Sequence, residues 1–292
     1  MTEPFSRRDW LKTVGAVSAG ALVPLDSLSA GATHTGASAT PAVPAPLAVR
    51  DLYAPGDIVE LSSTSEVFIP PRGDSLMKFS FDFPEPGVVF GDHRFSFLFF
   101  TEENTYAMDR SAMRASGNAD ALELTCSGLV WAGGQEKSPG TVSVKFRRTG
   151  RTIDWDITAE LPHSIRSITT VIRDVPRGHV SFGGGALIDP KDGDLLGGYT
   201  FGAGDLHGAQ VPYSMNTPLA VVKAGDNDFL YLTTRDTRVR PKRYYFQAGE
   251  RAFRTEAVYE HDGWRNDRRV VVPTWQLGHT ATLDEAIALH MA

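Results

Sequence analysis

Thr141-Val142-Ser143-Val144-Lys145-Phe146-Arg147-Arg148-Thr149-Gly150-Arg151-Thr152-Ile153-Asp154-Trp155-Asp156-Ile157 alternates apolar and polar residues on both sides of a short glycine-bearing link. Successive side chains of a strand point to opposite faces, so Val142, Val144 and Phe146 share one face, as do Ile153, Trp155 and Ile157. Two such runs joined by Arg148-Thr149-Gly150-Arg151 predict an antiparallel hairpin with one apolar face. The same period recurs outward from it. Met77, Phe79, Phe81 and Phe83 alternate with Lys78, Ser80 and Asp82. A second hairpin joins 219–222 to 229–232 through Ala224-Gly225-Asp226-Asn227-Asp228. Further strands are expected at 57–61, 66–69, 95–100, 165–172, 243–247 and 268–272. No helical period separates them, which argues against a parallel sheet with crossover helices. The fold class expected is all-β: one large antiparallel β-sandwich over 47–276.

The last segment, 277–292, departs from this pattern. Thr282-Leu283-Asp284-Glu285 has the form of a capping box, and Leu283, Ala286, Ile287 and His290 then share a helical face. A helix this short is marginal alone. Two arrangements are open: it docks on the sandwich, or it begins a junction to a further, catalytic domain, which is the expectation favoured here.

At the other end, Ser6-Arg7-Arg8-Asp9-Trp10-Leu11-Lys12 resembles the twin-arginine export signal of bacteria. Arg7 and Arg8 carry the address. An apolar run of about thirteen residues follows, short of the roughly 20 that span a bilayer. Ala30 and Ala32 supply the small-x-small cleavage geometry. Residues 1–32 are thus expected to be a signal peptide read by the twin-arginine translocation machinery, with no permanent membrane anchor. The product is expected to be periplasmic or secreted. Residues 33–46, rich in Ala, Thr, Gly and Pro, read as a disordered linker.

Charge and cysteine content narrow the function classes. The formal net charge is −6, and the signal itself is neutral, which argues against a nucleic-acid partner. Cys126 is the only cysteine, so no intramolecular disulfide can form, and its apolar neighbourhood predicts a small buried side chain. Gly183-Gly184-Gly185 and Gly202-Ala203-Gly204 lack the spacing and helix of a phosphate cradle and read as turns with positive φ. Asp189-Pro190-Lys191-Asp192-Gly193-Asp194 misses the calcium-loop pattern at its third and fifth positions and reads as an acidic turn. The histidines show no metal-ligand pairing, so neither a metal nor another cofactor is expected.

The most unusual polar stretch runs from Gly202 to Asn216. A pyranose shows hydroxyls at its edge and C–H groups on its face, and its recognition needs planar hydrogen-bonding side chains beside an aromatic ring. Asp205, His207, Gln210 and Asn216 could supply the first, and Tyr213 with Trp264 or Trp131 the second. Mutual satisfaction of these polar groups within a structural loop remains the alternative.

The run from Val211-Pro212-Tyr213 to Val221-Val222, followed by Asp228-Phe229-Leu230-Tyr231-Leu232-Thr233-Thr234-Arg235-Asp236, resembles a passage in some bacterial glycoside-hydrolase-like proteins. In those proteins the passage belongs to an N-terminal sandwich similar to galactose mutarotase, and a catalytic (β/α)8 barrel follows a short helix. The resemblance implies a mutarotase-like supersandwich and an exported carbohydrate-active protein whose own sandwich is non-catalytic, its catalytic carboxylates lying beyond Ala292. The ligand it implies is a carbohydrate. No catalytic residue can be assigned from it. A stand-alone carbohydrate-binding protein is one alternative. A mutarotase-type epimerase is the other, drawing a carboxylate base from Glu256 or Glu260 and an acid from His179, His207 or His261.

Overall fold

The computed structural model describes residues 49–69, 77–131, 136–200, 211–238, 240–262 and 264–292. The expected signal and linker, 1–46, and the 201–210 stretch lie outside the described residues. In chain order a short helix α1 (Val49–Leu52) precedes β1 (Ile58–Ile69), β2 (Met77–Phe90), β3 (His93–Thr101), β4 (Thr105–Met108), β5 (Met113–Gly117) and β6 (Ala121–Cys126). Next come β7 (Leu129–Trp131), β8 (Lys137–Ser138), β9 (Thr141–Thr149), β10 (Thr152–Glu160), β11 (Ile165–Pro176) and β12 (His179–Phe182). The remainder are β13 (Leu195–Thr200), β14 (Val211–Met215), β15 (Leu219–Gly225), β16 (Asp228–Thr234), β17 (Lys242–Ala248), β18 (Ala252–Glu260), β19 (Arg269–Thr280) and α2 (Leu283–Met291).

These strands form two sheets. The larger has eleven strands along the path β14-β13-β17-β18-β11-β3-β4-β7-β8, with β2 also on β3 and β1 on β2. The smaller has eight, in the order β12-β15-β16-β19-β10-β9-β6-β5. The all-β sandwich expected from the alternation is the fold found. Both hairpins are present: Val144 faces Ile157 across β9 and β10, and Val222 faces Leu230 across β15 and β16. The segments expected at 57–61 and 66–69 fall in one strand, β1, which begins at Ile58. Among the described residues one pair departs from the antiparallel rule, β13 running parallel to β14.

The core fills from both inner faces. Phe95 on β3 meets Phe146 at 5.1 Å and Trp155 at 5.4 Å between ring centroids, joining the sheets. Trp155 stacks on Trp275 at 6.4 Å, and Tyr244 meets Trp275 edge-on at 5.8 Å. Such contacts add to the area they bury. The Trp155 indole N–H is satisfied by Thr170 Oγ1 at 3.1 Å, whereas the buried Trp275 indole finds no partner among the described residues.

The terminal helix α2 docks on the outer face of the smaller sheet. Ala286, Leu283 and Ile287 pack against Leu219, Val221, Phe229 and Tyr231. Thr282 Oγ1 accepts from the Glu285 N–H at 3.1 Å, as a capping residue should. The Glu285 carboxylate reaches the Ala281 N–H at 2.9 Å, one residue short of the reciprocal capping-box partner. His290 closes the far end through hydrogen bonds to Thr217 and Thr233. Among the described residues no helix is long and apolar enough to cross a membrane.

Candidate functional site

A break in pairing between β16 and β19 opens a cleft at one end of the sandwich. The two strands pair from Phe229↔Thr280 to Thr234↔Trp275 and then part. On its other side β19 pairs with β10, where Trp155 faces Trp275 but Ile157 faces Val272. One residue of β10 thus opposes Pro273 and Thr274, a bulge that suits a proline because no ladder N–H is needed there. The Arg235 N–H hangs on the Thr274 carbonyl at 2.8 Å, and the chain then crosses to the larger sheet, entering β17 at Lys242. Between the crossing and the bulge lies a cleft of about 360 Å³, lined by 235–238, Arg240 and 271–273.

Asp236, which lines the cleft, belongs to a buried ion pair. Lys242 Nζ lies 2.7 Å from Asp236 Oδ2, with side-chain exposures of 1% and 4%. Burial pushes the Lys242 ammonium below its ordinary value, and Asp236 works against that. The pair is completed by the Arg240 carbonyl, which accepts from Nζ at 3.1 Å, and by the Tyr259 ring, 5.4 Å from Nζ. Asp236 Oδ1 accepts from the Arg238 N–H at 3.0 Å, so both carboxylate oxygens are engaged. Arg240 lies over the same Tyr259 ring at 5.6 Å and donates to its hydroxyl at 2.6 Å. Behind it, His261 is hydrogen-bonded to Asp267 at 2.9 Å.

At the rim, Arg235 donates to the Leu289 carbonyl of α2 and to Gln276 Oε1, each at 2.9 Å. Arg238 is exposed, and among the described residues its guanidinium has no partner. Val271, 56% exposed, and Pro273 form an apolar wall. Chemically the cleft offers fixed planar donors beside a hydrocarbon surface. Asp236, the carboxylate in its lining, is engaged by Lys242 and by the Arg238 N–H.

A second polar cluster occupies the outer face of the larger sheet. Glu85 is fully buried where β2 leaves β3, accepting from Ser96 at 2.9 Å and paired with Arg173 at 2.7 Å and Arg254 at 3.2 Å. Arg254 also holds Glu256. Burial raises the Glu85 carboxyl, but Arg254 and Arg173 more than offset this and leave it below its ordinary value. Charges balance within the cluster, which ties β2, β3, β11 and β18 together.

Of the residues singled out from sequence, those among the described residues lie on different elements. Tyr213 lies on β14, half-buried, its ring stacked on Phe182 at 5.4 Å. One face of that ring is therefore taken by the core. Asn216 is exposed just beyond β14, and Trp264, 83% exposed, stands in the β18–β19 connection. Trp131 ends β7, at the far side of the larger sheet. Asp205, His207 and Gln210 lie outside the described residues, as do Arg7, Arg8, Ala30 and Ala32. Glu256 and Glu260 sit on β18 paired with Arg254 and Arg243, whereas His179 belongs to β12 of the smaller sheet. Cys126 is buried, its thiol donating to the Gly128 carbonyl at 2.8 Å, and burial pushes its pKa up. Gly183 and Gly184 have φ of 63° and 74°, the left-handed turn expected of them. The acidic turn closes on itself, Asp194 accepting from the Lys191 N–H at 2.8 Å. Among the described residues no group of three His, Cys, Asp or Glu could hold a metal ion.

Sequence reasoning passed over the cleft. Its signal was present: Arg235, Arg238, Arg240, Lys242 and Arg243 crowd together in a chain of net charge −6. What was missing was the wall supplied by 271–273.

The sequence matches no family model and no curated protein. Solved structures that match include the Slr1438 protein of Synechocystis sp. PCC 6803. It is 9% identical over 79% of this chain and 98% of that one, with a TM-score of 0.35.

Proposed function

We propose that this chain is the non-catalytic β-sandwich of an exported carbohydrate-active protein and that it seats a saccharide in the cleft between 235–240 and 271–273. The observation that carries the reading is the pairing of planar guanidinium donors with the apolar wall of Val271 and Pro273. A sugar ring needs that combination, hydrogen bonds at its edge and hydrocarbon against its C–H face. The volume, about 360 Å³, is at the lower end of small-ligand pockets, roughly 300–1,000 Å³. Export is supported by the twin-arginine run at Arg7 and Arg8, and the carbohydrate class by the resemblance carried in 211–236. Asp236, the carboxylate lining the cleft, is engaged by Lys242, which favours binding over epimerisation there.

The test is retention of the purified chain on a panel of immobilised glycans, repeated with Val271→Glu. Val271 is exposed, so the substitution spares the core. At least one glycan should retain the wild-type chain, and the variant should lose that retention. A panel that retains nothing, or retention unchanged in the variant, refutes the reading.

A further inference from the structure

We infer that the saccharide in this cleft is acidic, bearing an oxyanion such as the carboxylate of a uronic acid or a sulfate ester; the inference rests on the saccharide reading above and adds the charge of the ligand. Arg235, Arg238 and Arg240 all line one cleft of about 360 Å³. The carboxylate lining it, Asp236, does not balance them. Its Oδ2 belongs to Lys242 at 2.7 Å and its Oδ1 to the Arg238 N–H at 3.0 Å. With Lys242 and Asp236 cancelling, three arginines without a carboxylate partner among the described residues line the cleft.

The three are also held differently, in a way that suits one anion. Arg240 is fixed by the Tyr259 ring on its face and the Tyr259 hydroxyl on one N–H, leaving its other donors for a ligand. Arg235 is anchored by the Leu289 carbonyl and Gln276, both neutral acceptors that leave its charge uncompensated. Arg238 is the free arm. A guanidinium presents parallel N–H donors that match the two oxygens of a carboxylate or sulfate, and such bidentate contacts are stronger than those to a hydroxyl. A neutral sugar would meet the apolar wall equally well but would leave the charge to water. The difference between acidic and neutral sugars of the same shape therefore measures this inference.

Titration calorimetry on the full chain at low salt tests it with four probes: an oligogalacturonate, its carboxyl-reduced neutral counterpart, a sulfated oligosaccharide, and inorganic phosphate. At least one acidic saccharide should bind tenfold or more tightly than the neutral counterpart, and which one does so distinguishes carboxylate from sulfate. Arg238→Ala should weaken that binding at least tenfold with an unchanged thermal midpoint, and Arg238→Lys should restore only part of it. Added salt should weaken binding as well. Equal binding of acidic and neutral saccharides overturns the acidic inference and leaves the saccharide reading standing. Phosphate binding as tight as any saccharide overturns the inference in favour of a free-anion site. If no saccharide binds, the saccharide reading fails and this inference with it.

Discussion

His93→Gln should remove a large part of the loss of stability that this protein suffers on mild acidification. His93 is 4% exposed, at the start of β3, and its Nδ1 is buried without a hydrogen-bond partner among the described residues. Burial, then the neighbouring His279, pushes its pKa from 6.5 down to about 4, while Asp92, the Arg173 main chain and Asp174 act the other way. The ring is therefore neutral in the folded protein under conditions where the unfolded chain already binds a proton. Because the folded pKa is depressed, the contribution is complete above pH 6.5 and is lost as pH falls toward 4. One pKa unit corresponds to about 1.4 kcal/mol, so the full loss approaches ~3.4 kcal/mol, and about 1.8 kcal/mol of it falls between pH 7 and pH 5. Urea unfolding at both pH values, on wild type and variant, measures this. Glu85 and Asp228, both held below their ordinary carboxylate values, add their own losses at lower pH, and these are common to the two proteins. The quantity of interest is the difference of differences. If the wild-type chain loses no more stability than the variant between pH 7 and pH 5, the linkage argument is refuted.

Three further outcomes follow from the same geometry. Asp236→Ala strands the Lys242 ammonium in the interior and should cost about 3–5 kcal/mol, whereas Asp236→Ala with Lys242→Met should recover much of that; a double-mutant cycle by denaturant unfolding checks the coupling. Gly198→Ala would place its Cβ 2.2 Å from the Phe182 ring and 2.6 Å from the Met215 sulfur, and should destabilise the β13–β14 edge by about 1–3 kcal/mol, seen as a lower thermal midpoint. Thr282→Ala removes the α2 cap and should cost about 1 kcal/mol, with faster hydrogen exchange confined to α2.

The fold was legible where a residue's fate depends on its neighbours two positions away. Val142, Val144, Phe146, Ile153, Trp155 and Ile157 all lie in the core, because the pleat turns alternate side chains the same way whatever the rest of the chain does. The β13–β14 edge was not legible. Leu195-Leu196-Gly197-Gly198-Tyr199 shows no alternation, and Gly198 is small because Phe182 and Met215, from other strands, occupy the space of its Cβ. Tyr213 illustrates the same limit. Its ring stacks on Phe182, a partner no spacing reveals.

The sequence by itself determined that the described chain folds into strands, that they pair mainly with antiparallel neighbours, and that one face of each hairpin is apolar. Those are local consequences of alternation and turn chemistry. Only the tertiary structure decided that the terminal helix docks on the smaller sheet, and that Arg235, Arg238 and Arg240 share a cleft with Val271 and Pro273. It also decided that Asp236 is spent on Lys242 and so leaves that cleft cationic. The physical reason is that charge in a site is a sum over partners brought together by crossing segments and bulges. Sequence order carries the charges; the fold chooses which of them cancel.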